Sequence, residues 1–178
     1  MVKMKLAAQK ALELDDTLAE AHTSLADAKF RGDWDWSGAE REFKRALELK
    51  PSYAEGHEWY SEYLAAMGRF EESIAEGKRA QQLDPVSPSI SKNLGFDYYF
   101  ARRYDQAIEE YQRALELDPN FLFARWFLGL AYANKSMFEQ AIAESQKAVE
   151  LSGRGPGALG GLDMSMRHRT GETRPGKS

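Results

Sequence analysis

The chain has 178 residues, with 24 Lys+Arg against 28 Asp+Glu and no cysteine. Its length suits one domain or a short repeat array, and the missing cysteine excludes disulfides, thiolate metal sites and a cysteine nucleophile. Residues 1–152 hold 19 basic and 26 acidic side chains, an acidic body unsuited to duplex nucleic acid, where affinity comes from neutralising phosphates.

Met1–Leu14 ends in Ala11-Leu12-Glu13-Leu14, which repeats later as Ala46-Leu47-Glu48-Leu49. Residues 1–17 therefore read as the back half of a helical hairpin. Four helix pairs follow, in repeats spanning about 18–52, 53–86, 87–120 and 121–153. The spacing predicts first helices near 19–31, 53–67, 87–101 and 121–134, and second helices near 36–49, 70–83, 104–117 and 138–151. Ser52 with Glu55 and Ser136 with Glu139 have capping-box spacing. Asp84-Pro85 and Asp118-Pro119 should end second helices, because a residue before proline is pushed out of the α region.

The period behind these elements is 34 residues, held by Pro51, Pro85 and Pro119, by Ala46, Ala80, Ala114 and Ala148, and by Leu49, Leu83, Leu117 and Leu151. An aromatic column (Trp36, Phe70, Tyr104, Phe138) and a small-residue column (Ala39, Ser73, Ala107, Ala141) keep the same register. The turn from Arg31 to Trp36 in the first copy is one residue longer than its counterparts. Alanines mark where helix backbones approach, and the aromatics fill wider gaps; Tyr104 and Ala114 are expected between packed helices. A single hairpin cannot bury its apolar stripe, so neighbours must stack.

The third copy carries Leu94-Gly95, Tyr98, Ala107, Tyr111 and Pro119, and the fourth Leu128-Gly129, Tyr132 and Ala141. In these residues the chain resembles the tetratricopeptide repeat (TPR) family, although the tryptophan column of that pattern is occupied by His22, His57, Ser91 and Arg125. The resemblance covers residues 1–152. It implies an all-α fold, a right-handed α-solenoid of stacked antiparallel helix pairs, working as a non-enzymatic interaction scaffold.

In that family the first helix of each pair lines a concave face. Carried over, the facing positions are Glu20, Thr23, Asp27, Phe30 and Arg31; then Glu55, Glu58, Glu62, Ala65 and Ala66; then Ser89, Lys92, Phe96, Tyr99 and Phe100; then Phe123, Trp126, Leu130, Ala133 and Asn134. The expected partner-binding set is Glu55, Glu58, Glu62, Lys92, Phe96, Tyr99, Phe100, Phe123, Trp126 and Leu130, with Trp126 and Phe96 as anchors. The acidic members point to a basic stretch on a peptide or protein ligand. The lysine–asparagine clamp of the chaperone-tail binders is missing: the corresponding pairs are Thr23/Asp27, Glu58/Glu62, Lys92/Phe96 and Trp126/Leu130.

No catalytic, cofactor or metal site is expected. Gly155-x-Gly157-x-x-Gly160 meets the dinucleotide fingerprint literally but follows a helix and contains Pro156, so it reads as a loop. His22 and His57 share a repeat position, which is structural spacing, and no nucleophile–base–orienter set emerges. No apolar stretch reaches the ~18 residues of a membrane span, and no signal peptide follows Met1, so a cytoplasmic protein without membrane contact is expected.

Residues 153–178 are rich in glycine and basic residues and lack aromatics. They read as a partly disordered tail, as a degenerate capping helix over Pro156–Leu162, or as sequence foreign to the array. Two alternatives to a free-standing scaffold stay open. The chain fits the regulatory segment of a longer bacterial signalling or transcription-control protein, and it fits a self-assembling array whose open ends stack into a homo-oligomer.

Overall fold

The computed structural model describes residues 2–153, which form nine α-helices and one π-helical turn, and no strand. The first helices of the pairs are α2 (Ala19–Ala28), α4 (Ala54–Ala66), α6 (Pro88–Phe100) and α8 (Leu122–Asn134). The second helices are α3 (Trp36–Leu49), α5 (Phe70–Leu83), α7 (Tyr104–Leu117) and α9 (Phe138–Leu151), where the period places them. The half repeat is α1 (Val2–Leu14). The described residues are all-α, with helix pairs in series as the resemblance implies. Apart from Gly153, the segment expected as a tail or cap lies outside the described residues.

Two compact units divide between Pro85 and Val86. In the first, α1 packs on α2, α2 on α3 and α4, and α4 on α5. Its core gathers Ala26, Ala39, Phe43, Tyr60, Tyr63 and Leu64. The rings of Phe43 and Tyr60 lie 5.6 Å apart, and those of Phe30 and Tyr63 meet edge-on at 5.4 Å. In the second unit α6 packs on α7 and α8, α7 on α8, and α8 on α9. Ala46, Ala80 and Ala114 are fully buried and Ala148 nearly so, as close backbone approach requires.

The aromatic column behaves less uniformly than expected. Phe70, Tyr104 and Phe138 are half-buried and Trp36 is exposed. Tyr104 packs its ring against Tyr99 at 5.6 Å. The fully buried ring of that helix is Tyr111, seven residues on, which lies over Gly95.

Each first helix ends through one device. Trp34, Gly68, Arg102 and Ser136, spaced at the repeat period, all have a left-handed backbone, with φ of 58°, 74°, 59° and 60°. In the last three copies the following residue closes a six-residue ring: Arg69 N–H donates to Leu64, Arg103 to Tyr98 and Met137 to Tyr132. This is a Schellman closure, which satisfies carbonyls orphaned at a helix end. The extra residue of the first copy is absorbed as the π turn Lys29–Asp33, closed by Asp35 N–H donating to the Lys29 carbonyl.

Neither expected capping box forms. The N-caps of α4 and α9 are Tyr53 and Met137, without side-chain caps, and Ser136 is occupied as the left-handed residue of the preceding turn. Side-chain caps occur elsewhere, from Asp35 to Gly38 N–H and from Ser87 to Ile90 N–H. Asp84 and Asp118 do end α5 and α7.

Candidate functional site

In the first unit, the acidic side chains of the facing strip are largely engaged within the fold. Arg31 Nε donates to Asp27 Oδ1 and its Nη2 to Glu62 Oε2, both at 2.5 Å. Burial alone would lower the Arg31 pKa, yet the two carboxylates raise it on balance. Glu20 accepts from Lys50 at 2.5 Å. Glu58, expected to face a ligand, is only 8 % exposed. Glu55 is exposed and accepts from the Tyr53 hydroxyl at 3.2 Å. The expected row of open carboxylates is thus reduced to Glu55.

The column that replaces the family's tryptophan has a structural use. His22 Nδ1 lies 2.7 Å from Glu42 Oε2, and its Nε2 lies 3.0 Å from the Asp16 carbonyl. His57 repeats this with Glu76 and the Pro51 carbonyl. Arg125 repeats it again in the second unit, donating to Glu144 and to the Pro119 carbonyl. Each residue pins the preceding interhelix loop to the second helix of its own pair. These histidines are fasteners, and among the described residues no group of three or more potential ligands is placed to hold a metal ion.

The second unit brings the aromatic part of the strip together. On α6, Phe96 and Phe100 are one turn apart with centroids at 4.5 Å, and Tyr99 meets Phe100 at 5.5 Å. On α8, Phe123, Trp126, Phe127 and Leu130 recur at helical spacing, so they share a side of the helix. Phe127 joins the two helices: its ring lies 5.2 Å from Phe96, 6.3 Å from Tyr99, 5.5 Å from Trp126 and 5.9 Å from Tyr111. Phe100 and Phe123 stay open, at 47 % and 54 % exposure. Trp126 is half-buried, and its indole N–H is buried without a hydrogen-bond partner among the described residues. Leu130 is half-buried, and its carbonyl accepts from Asn134 Nδ2. Asn134 Nδ2 also donates to the Tyr99 hydroxyl at 3.0 Å, and burial raises the pKa of that hydroxyl, which keeps it protonated. Lys92 is half-buried, and its ammonium donates to the Asn93 amide oxygen.

Phe127 was missed from sequence because its position faces no ligand in the family pattern. The signal lay in α8 itself, whose Trp126-Phe127-Leu128 run is more apolar than one buried stripe needs.

Three family models match, one described as TPR repeat over residues 97–136 and two as tetratricopeptide repeat over 31–88 and 124–154. The chain belongs to the tetratricopeptide repeat family. No curated protein matches this TPR chain in sequence. Among solved structures, MamA is similar at 24 % identity over 84 % of this chain and 87 % of its own, with a TM-score of 0.72. MamA of Desulfovibrio magneticus RS-1 is 18 % identical over 85 % of each chain, with a TM-score of 0.73. YrrB, described as a TPR protein with an unusual peptide-binding site, is 20 % identical over 92 % of this chain and 93 % of its own, with a TM-score of 0.68. At these identities the likeness establishes the TPR fold. Among the described residues, no helix is long and apolar enough to cross a membrane.

Proposed function

We propose that this TPR chain is a non-enzymatic protein-interaction module that docks a peptide or partner helix on the first-helix strip of its second unit. The observation that carries this is the aromatic cluster of Phe96, Tyr99, Phe100, Trp126 and Phe127 on α6 and α8, with Phe100 left open at its surface and Phe123 exposed one turn before Trp126. An exposed apolar patch of this kind marks an interaction surface, and rigid aromatic rings supply contact area at little entropic cost. Phe96, Tyr99, Trp126 and Leu130, held by ring packing and hydrogen bonds, form a preorganised floor. Phe100 and Phe123 supply the open contacts. The peptide-binding description of YrrB, a relative in fold, agrees with this reading.

Glu58 and Glu62 do not set ligand charge in this reading, since Glu58 is buried and Glu62 is paired with Arg31, and Glu55, which stays exposed, lies in the first unit and not on this strip. The test is a pull-down or peptide-array screen with the full chain, repeated with Phe100→Ser and Phe123→Ser together. Hits that survive the double change unaltered would place binding on another face.

A further inference from the structure

We infer that the docking strip of the second unit selects a peptide segment bearing a carboxylate beside aromatic or large aliphatic side chains. The inference rests on the reading of that strip as a docking surface. Of its residues on α6 and α8, Lys92 is the only one that carries a charge. It stands one turn before Phe96 on the same side of α6. Its hydrogen-bond partner is the neutral Asn93 amide, which leaves the ammonium further N–H donors. The Tyr99 hydroxyl already accepts from Asn134, which leaves its own O–H to donate. Arg125, the cation on α8, is tied to Glu144 and Pro119. Asp97, the acid on α6, is fully buried away from the surface.

The strip therefore offers donors and one cation beside apolar rings, and no surface anion. A ligand carboxylate complements the cation, while a lysine or arginine would meet like charge. A polyacid without apolar residues would leave Phe100 and Phe123 unused. This ligand charge is opposite to the one suggested by the acidic residues of the first unit, whose charges are largely engaged internally.

The test is selection of a phage-displayed library of random dodecapeptides on the full chain, on Lys92→Gln and on Lys92→Glu, with helicity of each protein verified by circular dichroism. The wild-type chain is expected to enrich Asp or Glu next to Phe, Trp or Leu. Lys92→Gln should level the charge preference and Lys92→Glu should reverse it toward Lys and Arg. For a synthesised wild-type hit, Glu→Gln in the peptide should weaken binding about two- to fivefold, as expected of a partly exposed ion pair. Apolar peptides that lose binding with Phe100→Ser and Phe123→Ser, yet show no charge preference or a basic one, would overturn this inference and leave the docking surface standing. Failure to enrich any sequence dependent on Phe100 and Phe123 would overturn both.

Discussion

His57 holds Glu76 at 2.5 Å through Nδ1 while its Nε2 lies 3.1 Å from the Pro51 carbonyl. One side chain thus joins the loop before α4 to α5, and the same join recurs at His22 and Arg125. Ser91 occupies the corresponding place in the third copy, too short for either contact, and its buried hydroxyl has no hydrogen-bond partner among the described residues.

This contrast gives the first prediction. His57→Ala should destabilise the chain by about 1–3 kcal/mol, the range for losing hydrogen bonds to a charged group. Ser91→Ala should be neutral or slightly stabilising, since it removes a desolvated hydroxyl that bonds to nothing. Urea denaturation of both variants is the measurement, and equal losses would remove the fastener role.

The left-handed turn residues give the second. Gly68 tolerates φ of 74°, whereas Arg102 and Ser136 hold the same conformation with a Cβ. That conformation costs an L-residue about 1–2 kcal/mol, and glycine returns part of it through unfolded-state entropy. Arg102→Gly should therefore stabilise by about 0.5–1 kcal/mol, and Gly68→Ala should destabilise by about 1 kcal/mol. A melting temperature that falls for Arg102→Gly would contradict this.

Much of the fold was legible because the repeat supplies its own check. Four copies fix the second-helix boundaries, since Pro85 and Pro119 punctuate the chain and the column of Ala46, Ala80, Ala114 and Ala148 holds one register. The turn between helices was not legible. Trp34, Arg102 and Ser136 give no local sign of positive φ, and only comparison with Gly68 reveals the pattern. Ser136 is instructive: its spacing to Glu139 suggests a cap, but the Schellman closure of α8 claims it first. The acidic strip misled for a similar reason. A facing position says where a side chain starts, while Arg31, reaching from the π turn, decides whether Glu62 remains available.

The third prediction concerns Gly95. A Cβ there would stand 2.6 Å from Cε1 of the fully buried Tyr111, so one of them must move. Gly95→Ala should cost about 1–3 kcal/mol through overpacking. Tyr111→Phe should be nearly neutral, because the Tyr111 hydroxyl is buried without a hydrogen-bond partner among the described residues. Tyr111→Leu, which shortens the ring side chain, should reduce the cost of Gly95→Ala in a double-mutant cycle. Simple additivity would show that the two residues do not compete for space.

The fourth uses Glu40, whose carboxylate accepts from Lys44 and Arg69, both at 2.8 Å. Those hydrogen bonds lower its pKa from 4.5 to about 2. Because the folded pKa lies below the unfolded one, the contribution is full above 4.5 and disappears as pH falls toward about 2. Glu40→Gln should cost below about 1 kcal/mol near neutral pH, given the solvent around the pair. Its stability should converge on that of the wild type across that acid window, followed by thermal melts at stepped pH.

The last prediction separates the floor of the aromatic strip from its open contacts. Trp126, expected from sequence as a surface anchor, is half-buried with its ring 5.5 Å from Phe127 and its N–H shielded. Trp126→Ala should therefore lower folding stability by about 1–3 kcal/mol, less than the full cost of truncating a wholly buried tryptophan. Loss of binding in that variant alone would not distinguish a missing contact from a loosened floor. Phe100 and Phe123 are better probes, because both are largely exposed; Phe123 enters none of the cluster's ring contacts, while Phe100 also packs on Phe96 and Tyr99. Phe123→Ser should change stability by less than about 0.5 kcal/mol, as surface substitutions do, and Phe100→Ser should cost about 1 kcal/mol for the part of its ring covered by Phe96 and Tyr99. Each should weaken a strip-dependent peptide by more than about 1 kcal/mol, the mark of an interface anchor. Paired melts and titrations of the three variants separate the roles. A stable Trp126→Ala that alone loses the peptide would make the indole the anchor and the two phenylalanines bystanders.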